Sequence, residues 1–373
     1  MMKKESVVII GGGIIGLACA YEAAKRNYQV TIIERVNFGG QASGAAAGML
    51  APYSELTEQP DEFFQLCTSS LHMYAAWVDE IEREAGQSVE YRKTGSLYVC
   101  QHEADIQPLM TRSLWQNQYG AAAELLTGAE LQHLEAGLTD GVVAGIYTAK
   151  EGHVHAPRLV DALMHCCHKI GVTMLDHVGD IVDINIGEQG VQVTSLRGDT
   201  VSADRLIVSA GAWSGQLEKW LSIRLPIHPI RGQICAYNNE AVPLHHVIFS
   251  SQAYWVTKND GRLICGASED VAGFTVEVTE RGINRLIRSS ERWIPALRQQ
   301  NIISKWAGLR PATRDGFPFI GKVDAAGQVI MAAGHYRNGI LLSPITAKLV
   351  ADCLDHKPDV MEQLSTFHPL RFT

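Results

Sequence analysis

The sequence predicts an α/β protein in which two units interleave, the second of α+β character with a mixed sheet. Three observations predict it. A β-branched strand, a glycine turn, a helix and a second strand follow one another at the start of the chain. A second succession of strand, glycine loop and helix lies near the other end, at 329–354. Between them runs no Pro/Ser linker, repeat or low-complexity segment, so interleaved units are expected rather than units in series. A chain of 373 residues can build two cores.

Each element has its own signal. Residues 7–10 are a short apolar run, read as a buried strand. The glycine stretch 11–16 breaks it, 17–26 reads as an alanine-rich helix, and 30–34 as a second strand. A small-residue loop covers 39–48. Residues 61–86 read as a helix with Leu66, Leu71, Met73, Trp77 and Ile81 as its apolar stripe. A strand is expected at 95–99, a helix at 104–119, and another at 156–170 with Pro157 near its first turn. Strands at 191–195 and 206–209 are expected to return to the first sheet. Residues 222–304 carry short alternating strands and one helix, near 279–291. Strand Val329–Ala333, a glycine loop and a helix over about 340–354 close the chain. On this reading 1–87, 151–221 and 305–373 form the first unit, and 88–150 with 222–304 the second.

Composition excludes more than it identifies. The net charge of -8 argues against nucleic-acid binding, which favours a basic face. No stretch approaches the roughly 20 apolar residues that span a bilayer. Eight cysteines without a CxxC pair suggest buried free thiols in a reducing compartment, hence a cytoplasmic protein. His165-Cys166-Cys167-His168 and His153-Val154-His155 invite a metal reading, but no further ligands stand at metal spacing, and none is expected.

The first glycines carry chemistry. Gly11, Gly13 and Gly16 fit GxGxxG: one for the tight turn, one for backbone approach to a pyrophosphate, one for helix–strand packing. The helix start offers unpaired N–H groups and a positive dipole end to phosphates. Glu34 ends the second strand, where a carboxylate accepts bonds from ribose hydroxyls. Strand, turn, helix, strand and acid in order make a Rossmann-like dinucleotide fingerprint, and displace the alternative of a secretory signal. Glu34 suits FAD and NAD alike. The loop Gly334-His335-Tyr336-Arg337-Asn338-Gly339-Ile340-Leu341, feeding a helix, would suit the pyrimidine end of a flavin, or serve as a packing turn. The strand end at Ala210-Gly211 would lie near the first glycine turn, or be plain core. Arg310 is a planar two-donor fork in an apolar, Trp- and Gly-containing segment, so it needs a partner: a substrate carboxylate or a structural acid.

Together GGGIIG, Ala45-Ala46-Ala47-Gly48-Met49-Leu50, Trp306-Ala307-Gly308-Leu309-Arg310-Pro311 and the 334–341 loop resemble the D-amino-acid oxidase superfamily of FAD-dependent oxidoreductases. The resemblance spans essentially the whole chain and is strongest to the glycine-oxidising branch that serves thiamine synthesis. It implies an FAD-binding first unit and a substrate-binding second one. Ile14, Ile15, Glu34 and Arg35 would contact the ADP half, with Asp180 on the adenine side. Ala42, Ser43, Ala47, Gly48 and Met49 would hold ribityl and flavin ring, and His335 to Leu341 would flank the pyrimidine. Arg310 would pair with the substrate carboxylate close to the cofactor, with Arg337 nearby and Tyr254 adding a hydroxyl. Ala307, Gly308 and Leu309 stand where covalent flavoenzymes carry a cysteine, so FAD is expected to be noncovalent. Glu269 falls where a small-amino-acid oxidase would have an apolar wall, and would favour a charged amine if it reaches the pocket.

The implied reaction is hydride transfer from a neutral amine to flavin N5, with no side-chain base strictly required. Oxygen then gives hydrogen peroxide, and the imine hydrolyses to the oxo acid and ammonia or passes to a thiazole-forming partner. The resemblance also implies a homotetramer. The rivals are a D-amino-acid or sarcosine dehydrogenase using an electron carrier, and a flavin module acting on a macromolecular amine.

Overall fold

The computed structural model describes residues 4–56, 60–238, 242 and 244–373. β1 (Ser6–Ile10), α1 (Ile14–Lys25) and β2 (Gln29–Ile33) form the parallel βαβ unit, Ser6 lying opposite Gln29 and Ile10 opposite Ile33. A short helix, α2 (Pro52–Glu55), precedes the long α3 (Glu62–Ala85). The Asp61 carboxylate accepts from the Phe64 N–H at the start of α3, and Gly86 ends it at φ 69°. The strands that frame the site are β3 (Arg205–Val208), β4 (Ile227–Asn238), β5 (Tyr254–Thr257), β6 (Arg262–Gly266), β7 (Ile302–Thr313) and β8 (Val329–Ala333), and α4 (Gly339–Leu354) follows β8.

Six strands make the first sheet, in the order Phe319–Lys322, β8, β3, β1, β2, Thr173–Leu175. All neighbours are parallel except the first pair. Val7 and Ile9 face one core with α1, α3, α4 and the helix Ala156–Lys169. Val8 and Ile10 face another core. Burial on both faces is why these strands read as unbroken apolar runs.

The strand at 191–195 does not return to this sheet. Gly190–Ser195 lies between Ile181–Gly187 and Thr200–Ala203 in a separate antiparallel sheet of three strands. Its buried Val191 and Val193 alternate with the more open Gln192 and Thr194, the pattern of a strand with one wet face. The expected helix at 104–119 is a 3₁₀ turn, Glu103–Asp105, followed by Ile106–Gln118.

The second sheet has eight strands: β7, β4, β6, β5, Val247–Phe249, Ser96–Cys100, Ala144–Thr148, Ala123–Thr127. It is antiparallel except where Val247–Phe249 runs parallel to Ser96–Cys100. β7 pairs with β4 from Thr313 opposite Ile227 to Ile302 opposite Tyr237. The expected change of unit at 305 therefore falls inside a continuous ladder, and the chain crosses back only after Thr313.

α4 contains Pro344, which has no N–H to give the Ile340 carbonyl. The Tyr74 hydroxyl at 3.1 Å and the Ser343 hydroxyl at 2.8 Å donate to that oxygen instead. All eight cysteines are buried and unpaired. Cys166 and Cys167 face the core while His165 and His168 are exposed. Among the described residues no helix is long and apolar enough to cross a membrane, and no group of three or more His, Cys, Asp or Glu is arranged to hold a metal.

Candidate active site

A cavity of about 590 Å³ runs between the two sheets, a size usual for cofactor and substrate sites. One end is the first glycine turn. Gly11 has φ +106°, and a Cβ there would sit 2.4 Å from the Ser209 carbonyl oxygen. A Cβ on Gly16 would meet the Gly11 carbonyl oxygen at 1.9 Å. Gly13, Ile14 and Ile15 line the cavity at the start of α1, where first-turn N–H groups have no partner within the helix. The Ser43 hydroxyl accepts from the Ile14 N–H at 2.9 Å.

Glu34 does not line the cavity. It turns back on the glycine turn, its Oε2 accepting from the Gly12 N–H at 2.7 Å and its Oε1 from the Val36 N–H at 3.1 Å. Arg35 pairs with Asp180 at 3.3 Å, and its guanidinium lies 4.2 Å from the Trp213 ring centre. Glu34, Arg35 and Asp180 are thus neighbours at one end of the site, because the Val178 and Gly179 N–H groups donate to the Glu34 and Arg35 carbonyls. Gly211 lines the cavity, with Ala210 beside it.

The middle is a wall of small residues, Ala42, Ser43 and 45–49. Contacts from the second sheet fix it. The Trp306 indole N–H donates to the Ala45 carbonyl at 3.0 Å, and a Cβ on Gly308 would lie 2.6 Å from that of Ala45. Gly48, at φ +79°, leaves no room for a Cβ against the Val154 carbonyl oxygen.

The 334–341 loop divides into parts. His335, Tyr336, Arg337, Gly339 and Ile340 line the cavity where α4 begins. Asn338 precedes α4, and its N–H bonds the His335 carbonyl at 2.9 Å. Leu341 is core, and its carbonyl accepts from the Ser70 hydroxyl at 2.6 Å. The His335 ring sits beside the Thr346 hydroxyl at 3.0 Å, and burial drives its pKa down to about 3, so it is neutral.

At the far end the guanidinium of Arg310 lies across Gly232, where a Cβ would come within 2.5 Å of its carbon. Its Nη1 donates to the Ser268 carbonyl at 2.9 Å, and among the described residues no carboxylate pairs with it. The Tyr254 ring packs on Gly266, and burial, opposed by Arg310, raises its hydroxyl above an ordinary phenol, so it stays a donor. Glu269 is at the exposed rim, where it accepts from the Tyr336 hydroxyl at 3.0 Å and pairs with Arg337 at 3.3 Å. Burial alone would weaken the charge of Arg337; Glu55 and then Glu269 outweigh it.

The fold therefore brings Arg310, Tyr254, Arg337 and Glu269 to one cavity with most of the glycine and small-residue positions. Gly11, Gly16, Glu34, Arg35, Asp180, Ala210, Asn338 and Leu341 stand behind its surface or beyond its end. Sequence reasoning missed Glu55, a buried-ended acid on the cavity wall, because nothing in Pro52-Tyr53-Ser54-Glu55 marks it. Glycines where a Cβ cannot fit, a helix start on the cavity wall and a long wall of mostly small residues fit an FAD.

Comparison with known proteins points the same way. The profile of the FAD dependent oxidoreductase family matches residues 6–353. A glycine oxidase of Geobacillus kaustophilus is 32% identical over 361 residues, covering 96% of this chain and 94% of the relative. A bifunctional ThiO/ThiG protein of Synechocystis is 36% identical over all of this chain, which spans 55% of that relative's length. Among solved structures, glycine oxidase from Geobacillus kaustophilus superposes with a TM-score of 0.94 at 29% identity, over 99% of this chain and 100% of the other. Iminodiacetate oxidase from Chelativorans, 24% identical with a TM-score of 0.88 over 97% and 98%, shares the fold.

Proposed function

We infer, from the premise that this chain belongs to the FAD dependent oxidoreductase family, that it oxidises glycine and other small amino acids such as sarcosine and D-alanine. The observation that carries this reading is Arg310: a guanidinium on the cavity wall that no carboxylate among the described residues pairs with, beside a protonated tyrosine. A structural arginine of this kind is normally paired. A small substrate carboxylate is the partner it lacks.

When bound noncovalently between the glycine turn and the 334–341 loop, FAD supplies a two-electron acceptor that oxygen can restore with release of peroxide. The chain's residues do the rest. Ser268 fixes one arm of Arg310 and leaves the others to grip a carboxylate. Tyr254 adds a hydroxyl donor. Glu269, itself held by the Tyr336 hydroxyl, pairs with Arg337 at the rim and helps keep it charged. The acid is thereby occupied, so selection for a cationic side chain is not the reading we adopt. The protein's task is orientation of the Cα–H, worth several orders of magnitude when a reactant is held close to its reacting geometry.

The ThiO/ThiG relatives support a further step in which the glycine imine is handed to thiazole synthesis for thiamine. We place the enzyme in the cytoplasm, a reading that rests on its unpaired cysteines, and as a homotetramer, a reading that rests on the family resemblance. The test is product analysis under air. Glycine should yield glyoxylate, ammonia and peroxide in equal amounts; turnover that needs an added electron carrier would favour a dehydrogenase instead.

A further inference from the structure

The carboxylate anchor accounts for one end of an amino acid; the ammonium end requires an acid. Glu55 ends α2 on the cavity wall. Its Oε2 is shut from solvent and has no hydrogen-bond partner among the described residues. A buried oxygen left without a partner costs free energy, and one on a cavity wall is available to a ligand.

The backbone that presents Glu55 is held by a second buried acid. Glu151 accepts from the Tyr53 and Ser54 N–H groups at 2.6 and 3.0 Å and from the Ser54 and Ser96 hydroxyls. Arg112 donates to the Tyr53 and Ser54 carbonyls at 2.7 and 2.6 Å. These bonds occupy Glu151 and Arg112 with backbone and hydroxyl partners, while Glu55 is left to its charge interaction with Arg337 and Arg310. Among the described residues, the charged and titratable groups that act on Glu55 or feel it are Arg337, Glu151, Arg310, Tyr254 and Cys67. An acid facing the two arginines that would take a carboxylate makes a two-ended receptor for a zwitterion.

Resting on the small-amino-acid reading above, we propose that Glu55 receives the substrate ammonium and takes one proton from it. One N–H bond breaks and its electron pair stays on nitrogen; one O–H bond forms on Glu55; nothing is oxidised in this step. The neutral amine left behind is the form from which a Cα hydride can depart. Burial pushes the Glu55 carboxyl up to about 7, with Arg337 pulling back, Glu151 adding to the rise and Arg310 pulling back. Below that pH the group is protonated and cannot accept; above it the carboxylate is present.

The experiment compares native enzyme, Glu55→Gln and Glu55→Asp, all with FAD bound. Two readouts are used: the anaerobic rate of flavin bleaching by glycine from about pH 6 to about pH 10, and the affinity for acetate, a carboxylate without an amine, from its effect on the flavin spectrum. Native enzyme should gain rate through about pH 7. Glu55→Gln should be slower near neutrality by roughly 100-fold, and should approach native at the alkaline end, where glycine arrives already neutral. Glu55→Asp should recover the neutral limb in part, and acetate should bind Glu55→Gln at least as well as native. Superimposable profiles, or a Glu55→Gln deficit equal at every pH, would overturn the proposal. If native enzyme binds acetate yet no primary amine bleaches it, the small-amino-acid reading fails as well; bleaching with unchanged profiles sinks the role of Glu55 alone.

Discussion

At the residue scale the site rests on a few contacts that single substitutions remove. Arg310→Ala should keep its yellow cofactor, and should bind acetate and glycine roughly 10- to 100-fold more weakly, the loss of charge-assisted hydrogen bonds worth about 1.5–3 kcal/mol. Equal acetate affinity in the variant would mean that another group anchors the carboxylate. Gly16→Ala puts a methyl 1.9 Å from the Gly11 carbonyl oxygen. It should lose about 1–3 kcal/mol of stability or more, together with FAD affinity, measurable by urea unfolding and flavin titration. These residues were legible in the sequence because their neighbours restrict what they can do. Gly16 belongs to a spaced motif, and Arg310 is a charge inside an apolar strand. Glu55 was not legible, since its enclosure is made by residues near 151, 254, 310 and 337 that only the fold assembles.

Elements were legible where one physical signal dominated. The ends of α3 were foreseen to within a residue, but its buried stripe runs through Phe63, Cys67, Ser70, Tyr74, Val78 and Ile81. Of the expected stripe only Leu66 and Ile81 are buried, because Leu71, Met73 and Trp77 stand at its flank. The error at 191–195 came from treating any short β-rich run as a parallel core strand; alternation of Val191 and Val193 with polar residues belonged to an outer sheet. β7 was cut at 305 because nothing in the sequence marks how far its ladder with β4 runs. A buried lysine underpins the wall at 45–49. Lys258 donates to the Val154 carbonyl at 2.9 Å and to the His153 ring at 3.1 Å, and His153 pairs with Met49. Burial pushes Lys258 down to about 7, despite Glu90 and Asp260. An unfolded lysine titrates near ~10.4. Between these values the unfolded chain binds the extra proton, so stability should rise with pH across that window. Lys258→Met should abolish this rise in urea-unfolding free energy measured against pH; identical slopes in both proteins would show that Lys258 is not held neutral.

For the whole molecule, the cavity lies between two sheets whose cores are otherwise separate. A cofactor filling it binds only the folded arrangement, so FAD at 100 times its dissociation constant should stabilise the protein by about 2.7 kcal/mol. Calorimetry of holo and FAD-stripped protein, with FAD added in steps, would check this; an unchanged Tm would mean that FAD does not bind the folded chain at this site. Interleaving explains why the sequence shows no linker: β1, β3 and β8 are distant in the chain but adjacent in the sheet. Oxidation of a small amino acid is decided by the flavin itself. The purified holoenzyme is mixed with glycine in the absence of air, the flavin absorbance is followed, and air is then admitted. Glycine should bleach the flavin, and air should promptly return its colour with release of peroxide. A flavin that glycine, sarcosine and D-alanine all leave oxidised would contradict it.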